Sequence, residues 1–320
     1  RRHSFPTRRS SDLIAICEQL ETPEEAKKRG YKAIVRRDVV RVVTPGTVTE
    51  DALLAPGAAH YLAAVSVQGD EAGFAWLDLS TGEFTSCALP AVQLASLFAR
   101  VQPREVLLTQ ALYEVFLNQP WFVEWRARVS IRPDVQFDSK SALRRLSDHY
   151  GVSDAGVYGE FTAGELRSCG ALLEYVALTQ LQAAARLNPP KRESNQELMQ
   201  MDAPTRRNLE LLTTLSGARR GSLLATIDHT VTAAGGRMLC HWLAAPSCQL
   251  QTIAARHDAV EWLLVQPKLR EQVRDKLRQI SDMERALSRL SLGRGGPRDL
   301  LMLQTSLGQA NGLHEVLRAL

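Results

Sequence analysis

YLAAVSVQGDEAGFAWLDLSTGEFTSCALPAVQLASLFARVQPREVLL, residues 61–108, holds two β-rich runs, Leu62–Val67 and Gly73–Leu79, either side of the polar turn Gln68–Ala72. Apolar runs of this length, rich in β-branched and aromatic residues and bounded by Gly and Asp, predict a hairpin. Ser80-Thr81-Gly82-Glu83 supplies the next turn, Phe84–Ala88 a third strand and Val92–Val101 a helix. After the break at Pro103, Glu105–Leu108 (EVLL) reads as a short buried strand. Strands followed by helices in this order predict a compact α/β domain.

Toward the N-terminus, Ile14–Cys17 reads as a buried strand, and Glu21-Thr22-Pro23-Glu24-Glu25 as a cap and first helical turn before Lys27–Gly30. The pattern VVRVV at Val39–Val43 predicts a strand with Arg41 in its middle, stopped by Thr44-Pro45-Gly46-Thr47. Toward the C-terminus the texture changes. Gly164–Ala185 has apolar residues at helical spacing and predicts one long helix, followed by the linker Leu187–Lys191. Asp202 is a candidate N-cap for Thr205–Leu215, Gly221–Asp228 opens a short helix, and Thr232 caps Ala233–Leu243 ahead of Pro246. Thr252–Leu264, Pro267–Ile280, Asp282–Leu292 and Arg298–Leu307 follow as helices. His314–Leu320 reads as a helix still running, with no Gly, Asn or Pro to stop it, so the chain is expected to be cut there.

With 45% hydrophobic and 23% charged residues over 320 positions, the composition is that of a globular protein and excludes a disordered one. No run approaches the roughly 18 apolar residues a membrane-spanning helix needs, and the start has no apolar signal-peptide stretch, which predicts a cytoplasmic protein. Cys17, Cys87, Cys169, Cys240 and Cys248 stand singly and predict free buried thiols, and a zinc site assembled from Cys240, His241, His229 and His257 lacks the tight ligand pairs such sites use. The segment 1–13, RRHSFPTRRSSDL, carries four arginines and one aspartate, +3 of the formal +4. It adjoins Ile14 as if spliced into a strand and reads as a non-native leader, so the basic balance licenses no inference about DNA.

Three segments occurring in order resemble one family, the MutS mismatch repair ATPases: AICEQLETPEEAKKRGYKAIVRRDVVRVVTPGTVTED (15–51), AWLDLSTGEF (75–84), and the stretch Met201–Leu303. The last contains MDAPTRRNLELLTTLSG, GSLLATIDHTVTAAGGRMLCHWLAAP and DMERALSRLSLGRGGPRDL. The resemblance spans Ile14–Leu320 and implies an α+β multidomain chain. Residues 14–45 would be the C-terminal part of a mismatch-binding domain, 46–187 an RNase H-like α/β connector ending in a long helix, and 188–320 the start of an all-α core (lever) domain. It implies an internal piece of a protein that recognises mispaired or unpaired bases in duplex DNA and signals repair in an ATP-dependent manner. Mismatched double-stranded DNA, a second MutS subunit and a MutL-type repair factor are the implied partners, and a nucleoid-associated place in a bacterial cytoplasm the implied location. ATP and Mg²⁺ are implied for the full-length protein, with no cofactor and no catalytic residue in this stretch.

Individual motifs bear on that reading. The family's Phe-x-Glu wedge, which unstacks and bends a mispaired step, is not found before Ile14. No GxxxxGK[ST] phosphate loop occurs; Gly293-Arg294-Gly295-Gly296 lacks its Lys-Ser/Thr and reads as a turn between helices. Arg37 and Arg41 are the candidate contacts to DNA phosphate, against a solvated or ion-paired strand edge. Arg206, Arg207, Arg219 and Arg220 read as helix-surface charge paired with acids such as Glu210, and Trp121, Trp125, Trp242 and Trp262 as packing residues. Two alternatives stand beside the family reading. One is a metal-dependent RNase H-like nuclease in which Asp78 is joined by Glu83, Asp134 and Asp138, although an Asp before Ser-Thr-Gly is commonly a turn residue. The other is a non-catalytic structural module of a MutS paralogue.

Overall fold

Paired valines either side of Arg41, β-branched residues that favour extended backbone, make strand β2 (Arg37–Val43), and it pairs antiparallel with β1 (Ile14–Gln19) from Ile14↔Val43 to Gln19↔Arg37 in a computed structural model. The structure describes residues 13–153, 159–181, 185–194 and 197–318, so most of the Arg-rich leader lies outside the described residues. Between these strands runs α1 (Pro23–Lys28), closed by a reciprocal cap in which Thr22 Oγ1 accepts from Glu25 N and Glu25 Oε2 accepts from Thr22 N, at 3.2 and 2.8 Å. β1 is exposed, in contrast to the buried strand expected from its apolar run. A two-stranded ribbon cannot bury its own faces, and among the described residues nothing covers β1.

The central sheet has the order β7-β6-β3-β4-β5-β8. Strands β3 (Tyr61–Gln68), β4 (Glu71–Asp78) and β5 (Glu83–Pro90) form an antiparallel meander. β6 (Glu105–Leu108) and β7 (Val129–Ile131) extend it in parallel beyond β3, while β8 (Lys191–Arg192) lies parallel to β5 at the other edge. The first hairpin turns on Gly69-Asp70 alone, with Gly69 at φ +60°, so its strands are longer than the sequence pattern suggests.

Both faces of the sheet are covered, which is why its strands read as near-continuous apolar runs. Leu62, Ala64, Ala75 and Leu77 face Leu172 and Val176 of α5 (Ala163–Thr179). Ala63, Val65, Phe74 and Trp76 face α2 (Leu94–Val101) and the aromatic residues that follow α3 (Gln110–Leu117). Phe98 sits at the centre of that second layer, with ring centroids 5.3 Å from Phe74, 5.2 Å from Trp121 and 5.3 Å from Trp125. α4 (Ser139–Tyr150), N-capped by Asp138, packs beside α5.

The helix predicted through Ala185 ends at Thr179, and residues 182–184 of that prediction lie outside the described residues. The predicted linker is likewise part of the domain, because Leu187 is buried and Lys191–Arg192 adds the edge strand. α5 begins at a second reciprocal cap: Thr162 Oγ1 accepts from Glu165 N, and Glu165 Oε2 from Thr162 N. The same buried Glu165 carboxylate accepts from Ser86 Oγ (3.1 Å) and pairs with Arg192 (3.1 Å), fastening β8 to the helix start. Thr162→Ala is expected to destabilise this part by about 1 kcal/mol, the usual worth of an N-cap hydroxyl, and a shift in the urea midpoint at unchanged slope checks it.

The remainder is helical: α6 (Ala203–Asn208), α7 (Leu223–Ile227), α8 (Ala233–Ala244), α9 (Leu250–Leu264), α10 (Pro267–Arg278), α11 (Met283–Ser291) and α12 (Pro297–Arg318). Asp202, Ser222, Thr232 and Asp282 cap four of these through their own side chains. The helix expected over Thr205–Leu215 stops at Asn208, where Glu210 turns to φ +46° and its carboxylate accepts from Leu215 N (2.6 Å). Conversely, the two segments expected at Arg298–Leu307 and from His314 are one helix, since Gly308 and Gly312 lie within it without breaking it. No helix of the described residues is long and apolar enough to cross a membrane.

Candidate functional site at the interdomain joint

Between β2 and β3 the chain makes no long regular element, so its backbone polar groups need partners from elsewhere. They find them in both neighbouring parts. At the first contact, Glu105 opens the buried strand EVLL yet is only 1% exposed. Its Oε2 accepts from Thr44 Oγ1 and from Gly46 N (2.9 Å), and its Oε1 from Ser130 Oγ (2.5 Å) and Tyr175 OH (2.6 Å). One carboxylate thus ties the turn after β2 to β6, to β7 and to α5. Gly46 has to be glycine here, because an added Cβ would lie 2.8 Å from Leu62 Cδ1 and 2.9 Å from Glu105 Cβ.

A second set of contacts joins the same connecting segment to the helices. Arg285, 3% exposed, donates to Ala55 O (3.2 Å) and Ala58 O (2.9 Å), and Ser288 Oγ donates to Leu79 O (2.7 Å). Arg237 on α8 donates to Pro56 O (3.1 Å), and its fork also engages Asp282 (2.6 and 3.0 Å) and Glu284 (2.8 Å). Gly57 and Gly236 meet backbone to backbone at this crossing. Arg294 donates to Thr49 Oγ1 (3.0 Å) and to Gln180, and Arg289 pairs with Asp51 (2.6 Å) and Asp299. Directed, charge-assisted bonds of this kind fix orientation as well as contributing energy.

Asp78 and Glu83 sit beside this joint as register partners at the β4–β5 turn. Asp78 is fully buried and accepts from Ser80 N (2.9 Å), Ser80 Oγ (2.6 Å) and His60 N (2.8 Å), the arrangement of a turn-forming aspartate. Among the described residues, the Glu83 carboxylate accepts from the Tyr61 hydroxyl alone, at 3.2 and 3.3 Å. Burial, then the nearby Asp78 carboxylate, push Glu83 up to about 7. Asp138 instead caps α4 and Asp134 begins a short turn of helix, so the four carboxylates of the nuclease alternative are not gathered. Among the described residues no three His, Cys, Asp or Glu side chains are grouped as a metal would require.

The two candidate DNA contacts part company. Arg37 is exposed at the start of β2. Arg41 is 5% exposed and held by Glu50 (2.6 and 3.2 Å) and Thr49 (3.4 Å), a buried guanidinium paired with a partly exposed carboxylate and not an outward-facing cation. The Gly293–Gly296 segment is a turn between α11 and α12: Gly296 N is filled by Asp299 Oδ2 (2.9 Å), and Gly295 lies against Leu290, so these residues do not fit a nucleotide phosphate. Cys87 and Cys169 are buried, whereas Cys17 and Cys248 are exposed, contrary to expectation. Arg219 pairs with Asp228 (2.6 Å), and Arg206 donates to Met201 O (3.3 Å) and Ala244 O, not to Glu210. Trp121 and Trp125 belong to the aromatic layer, while Trp242 lies under Arg256 at 3.7 Å and Trp262 is 40% exposed. Sequence reasoning missed Glu105, Arg237, Arg285 and Arg294. A charge opening an otherwise apolar strand was the legible signal for Glu105; the three arginines had none.

Comparison with known proteins adds three consecutive family matches: MutS domain I at residues 10–52, MutS domain II at 60–191 and MutS domain III at 204–320. The chain is 47% identical over 304 residues to the DNA mismatch repair protein MutS of Dinoroseobacter shibae, covering 95% of this chain and 34% of that protein. It is 44% identical over 309 residues to that of Rhizobium meliloti, covering 95% and 34%. For Wolbachia pipientis wMel the values are 42% over 304 residues, 95% and 36%. The chain therefore spans about a third of the length of these curated relatives.

Proposed function

Because the chain belongs to the MutS family, we propose that it is the mechanical middle of a mismatch sensor that recognises mispaired or unpaired bases in duplex DNA and signals repair at the cost of ATP. The observation that carries this reading is the joint itself. The segment after β2 is bonded at once to the sheet through Glu105 and to the helices through Arg285, Arg237 and Arg294. Coupling between distant sites needs packed elements whose relative placement can be biased, and a segment clamped on both sides meets that need where a free tether would not.

Within this reading residues 14–45 close the mismatch-binding domain, 46–187 form the connector and 188–320 begin the core. The meander β3-β4-β5 with β6 and β7 added in parallel beyond β3 supports an RNase H-like connector. Mismatched DNA, a second subunit and a MutL-type factor are the partners, in a bacterial cytoplasm near the nucleoid. ATP and Mg²⁺ belong to the full-length protein and to none of the residues described here. The test is replacement of the corresponding segment of the Dinoroseobacter shibae relative by residues 14–318 of this chain, in a strain lacking its own MutS. The chimera is expected to bring the elevated mutation rate back toward normal; a chimera that folds and binds mismatched duplex no better than matched duplex sinks the proposal.

Arg37 is the DNA-contacting residue of this reading, and Arg41 holds the strand end through Glu50. In the chimera, Arg37→Ala is expected to weaken matched and mismatched duplex alike and to lower the salt dependence by about one counterion, as loss of a phosphate contact does. A loss confined to mismatched duplex would assign Arg37 another role.

A further inference from the structure

Where the end of α2 comes up against α8, the fold leaves a cavity of about 120 Å³. Ala58 and Ala59 of the connecting segment line it together with Ala244 and Ala245 at the end of α8, and side chains this small leave volume unfilled. Among the described residues three arginines line it, Arg100 on α2, Arg104 just beyond α2 and Arg237 on α8, and no carboxylate does. Arg100 is paired with Glu193, and Arg237 with Asp282 and Glu284, all three acids lying outside the wall. Arg104 is exposed, and among the described residues its guanidinium has neither an ion pair nor a hydrogen bond. A further cation, Arg206, donates to Ala244 O of the same wall; burial, then the Arg100 guanidinium, hold it down to about 10. At this end of the joint Arg100, Arg104 and Arg206 therefore have one carboxylate between them among the described residues, Glu193.

We propose that this cavity binds a small oxyanion of the size of inorganic phosphate, held by Arg104 and Arg100 and bridging the sheet domain to α8. Charge of one sign within poorly polarisable walls concentrates counter-ions, and a guanidinium presents a planar fork that matches two oxygens of such an ion at once. Gln102, in the same wall, holds φ +50° directly before Pro103, a strained setting for a residue other than glycine, and adds a side-chain amide to the available donors. A volume of 120 Å³ takes a tetrahedral oxyanion but not the sugar and base of a nucleotide, nor a phosphodiester flanked by its sugars. The occupant is thus a free ion. Because Arg100 and Arg104 belong to the sheet domain and Ala244 to α8, a bound ion stabilises the joint between them, whether or not the chain takes part in mismatch sensing.

Hydrogen exchange of the 320-residue chain tests it, with inorganic phosphate titrated against chloride at constant ionic strength and pH. Protection at residues 58–61 and 237–245 is expected to rise about tenfold for each tenfold rise in free phosphate above its Kd, as a ligand released on opening requires. Residues 267–278 of α10, away from the cavity, should not follow. Arg104→Gln, at an exposed side chain without a partner, should leave protection in chloride unchanged and abolish the response to phosphate. Arg144→Gln, at an 85% exposed side chain on α4, should respond as the unaltered chain does. Adenosine monophosphate in place of phosphate separates a free ion from a phosphate carried on a nucleotide, and is expected to have no effect. No response to phosphate in the unaltered chain, an equal response in Arg104→Gln, or a gain shared by α10 overturns the site; a response to the nucleotide alone overturns its assignment to a free ion.

Discussion

Glu105→Ala is expected to lower the stability of the sheet domain by about 4 kcal/mol and to release the turn after β2. The substitution strands the Tyr175 and Ser130 hydroxyls and the Gly46 amide at once, and leaves Thr44 Oγ1 with Thr47 Oγ1 as its partner. Each buried donor left without a partner costs about 1–3 kcal/mol, and the total is held below the simple sum by whatever water enters the vacated volume. The two parts of the expectation separate in hydrogen exchange. Residues 37–47 should lose protection most, whereas β4 and β5, which meet Glu105 nowhere, should change only by the global loss. Glu105→Gln should fall between, since its carbonyl oxygen can accept from one pair of donors while its amide opposes the other. Equal loss everywhere would mean that Glu105 stabilises the domain without fastening the turn.

Gly73→Ala should be as damaging for a different reason. α5 begins where its first turn lies directly on β4, with Ser66 Oγ donating to Gly164 O (2.8 Å) and Ser168 Oγ to Gly73 O (2.8 Å). A Cβ on Gly73 would overlap the backbone of Gly164 and Glu165, which cannot swing aside as the end of a side chain can. Overpacking a well-filled core costs about 1–3 kcal/mol, and backbone overlap puts this site at the upper end or beyond it, at about 3 kcal/mol. The capping box of Thr162 and Glu165 would be displaced with the helix, so the edge strand held by Glu165 should loosen as well. Thermal unfolding followed by tryptophan fluorescence gives the result directly. A melting temperature within 2 °C of the unaltered chain, where about 3 kcal/mol predicts a fall of several degrees, would show that α5 can ride higher on the sheet.

How much of this was legible beforehand differs by element. The meander was readable because its strands are apolar, β-branched and separated by turn residues, all local properties. The helix caps at Thr22, Asp202 and Thr232 were readable because a short polar side chain ahead of an apolar period has one economical use. Element ends were less so. Leu187–Lys191 has the composition of a linker, yet Lys191–Arg192 pairs with β5 because Glu165 offers Arg192 a carboxylate, a partner 27 residues away. Gly308 and Gly312 weaken α12 locally without ending it, since the packing of α12 against α10 and α11 acts over the whole helix. Of the site, Arg37 and Arg41 look alike in sequence. Only the position of Glu50, beyond the Thr44–Thr47 turn, turns one inward and leaves the other outside.

By itself the sequence determined the succession of an α/β part and a helical part and the family to which the chain belongs, because periodicity, turn chemistry and three ordered motifs are written residue by residue. The tertiary structure alone decided which charges are structural. Glu105, Arg237, Arg285 and Arg294 each find their partners across separations in the chain that no local pattern encodes, and a buried charge persists only where folding brings such partners to it.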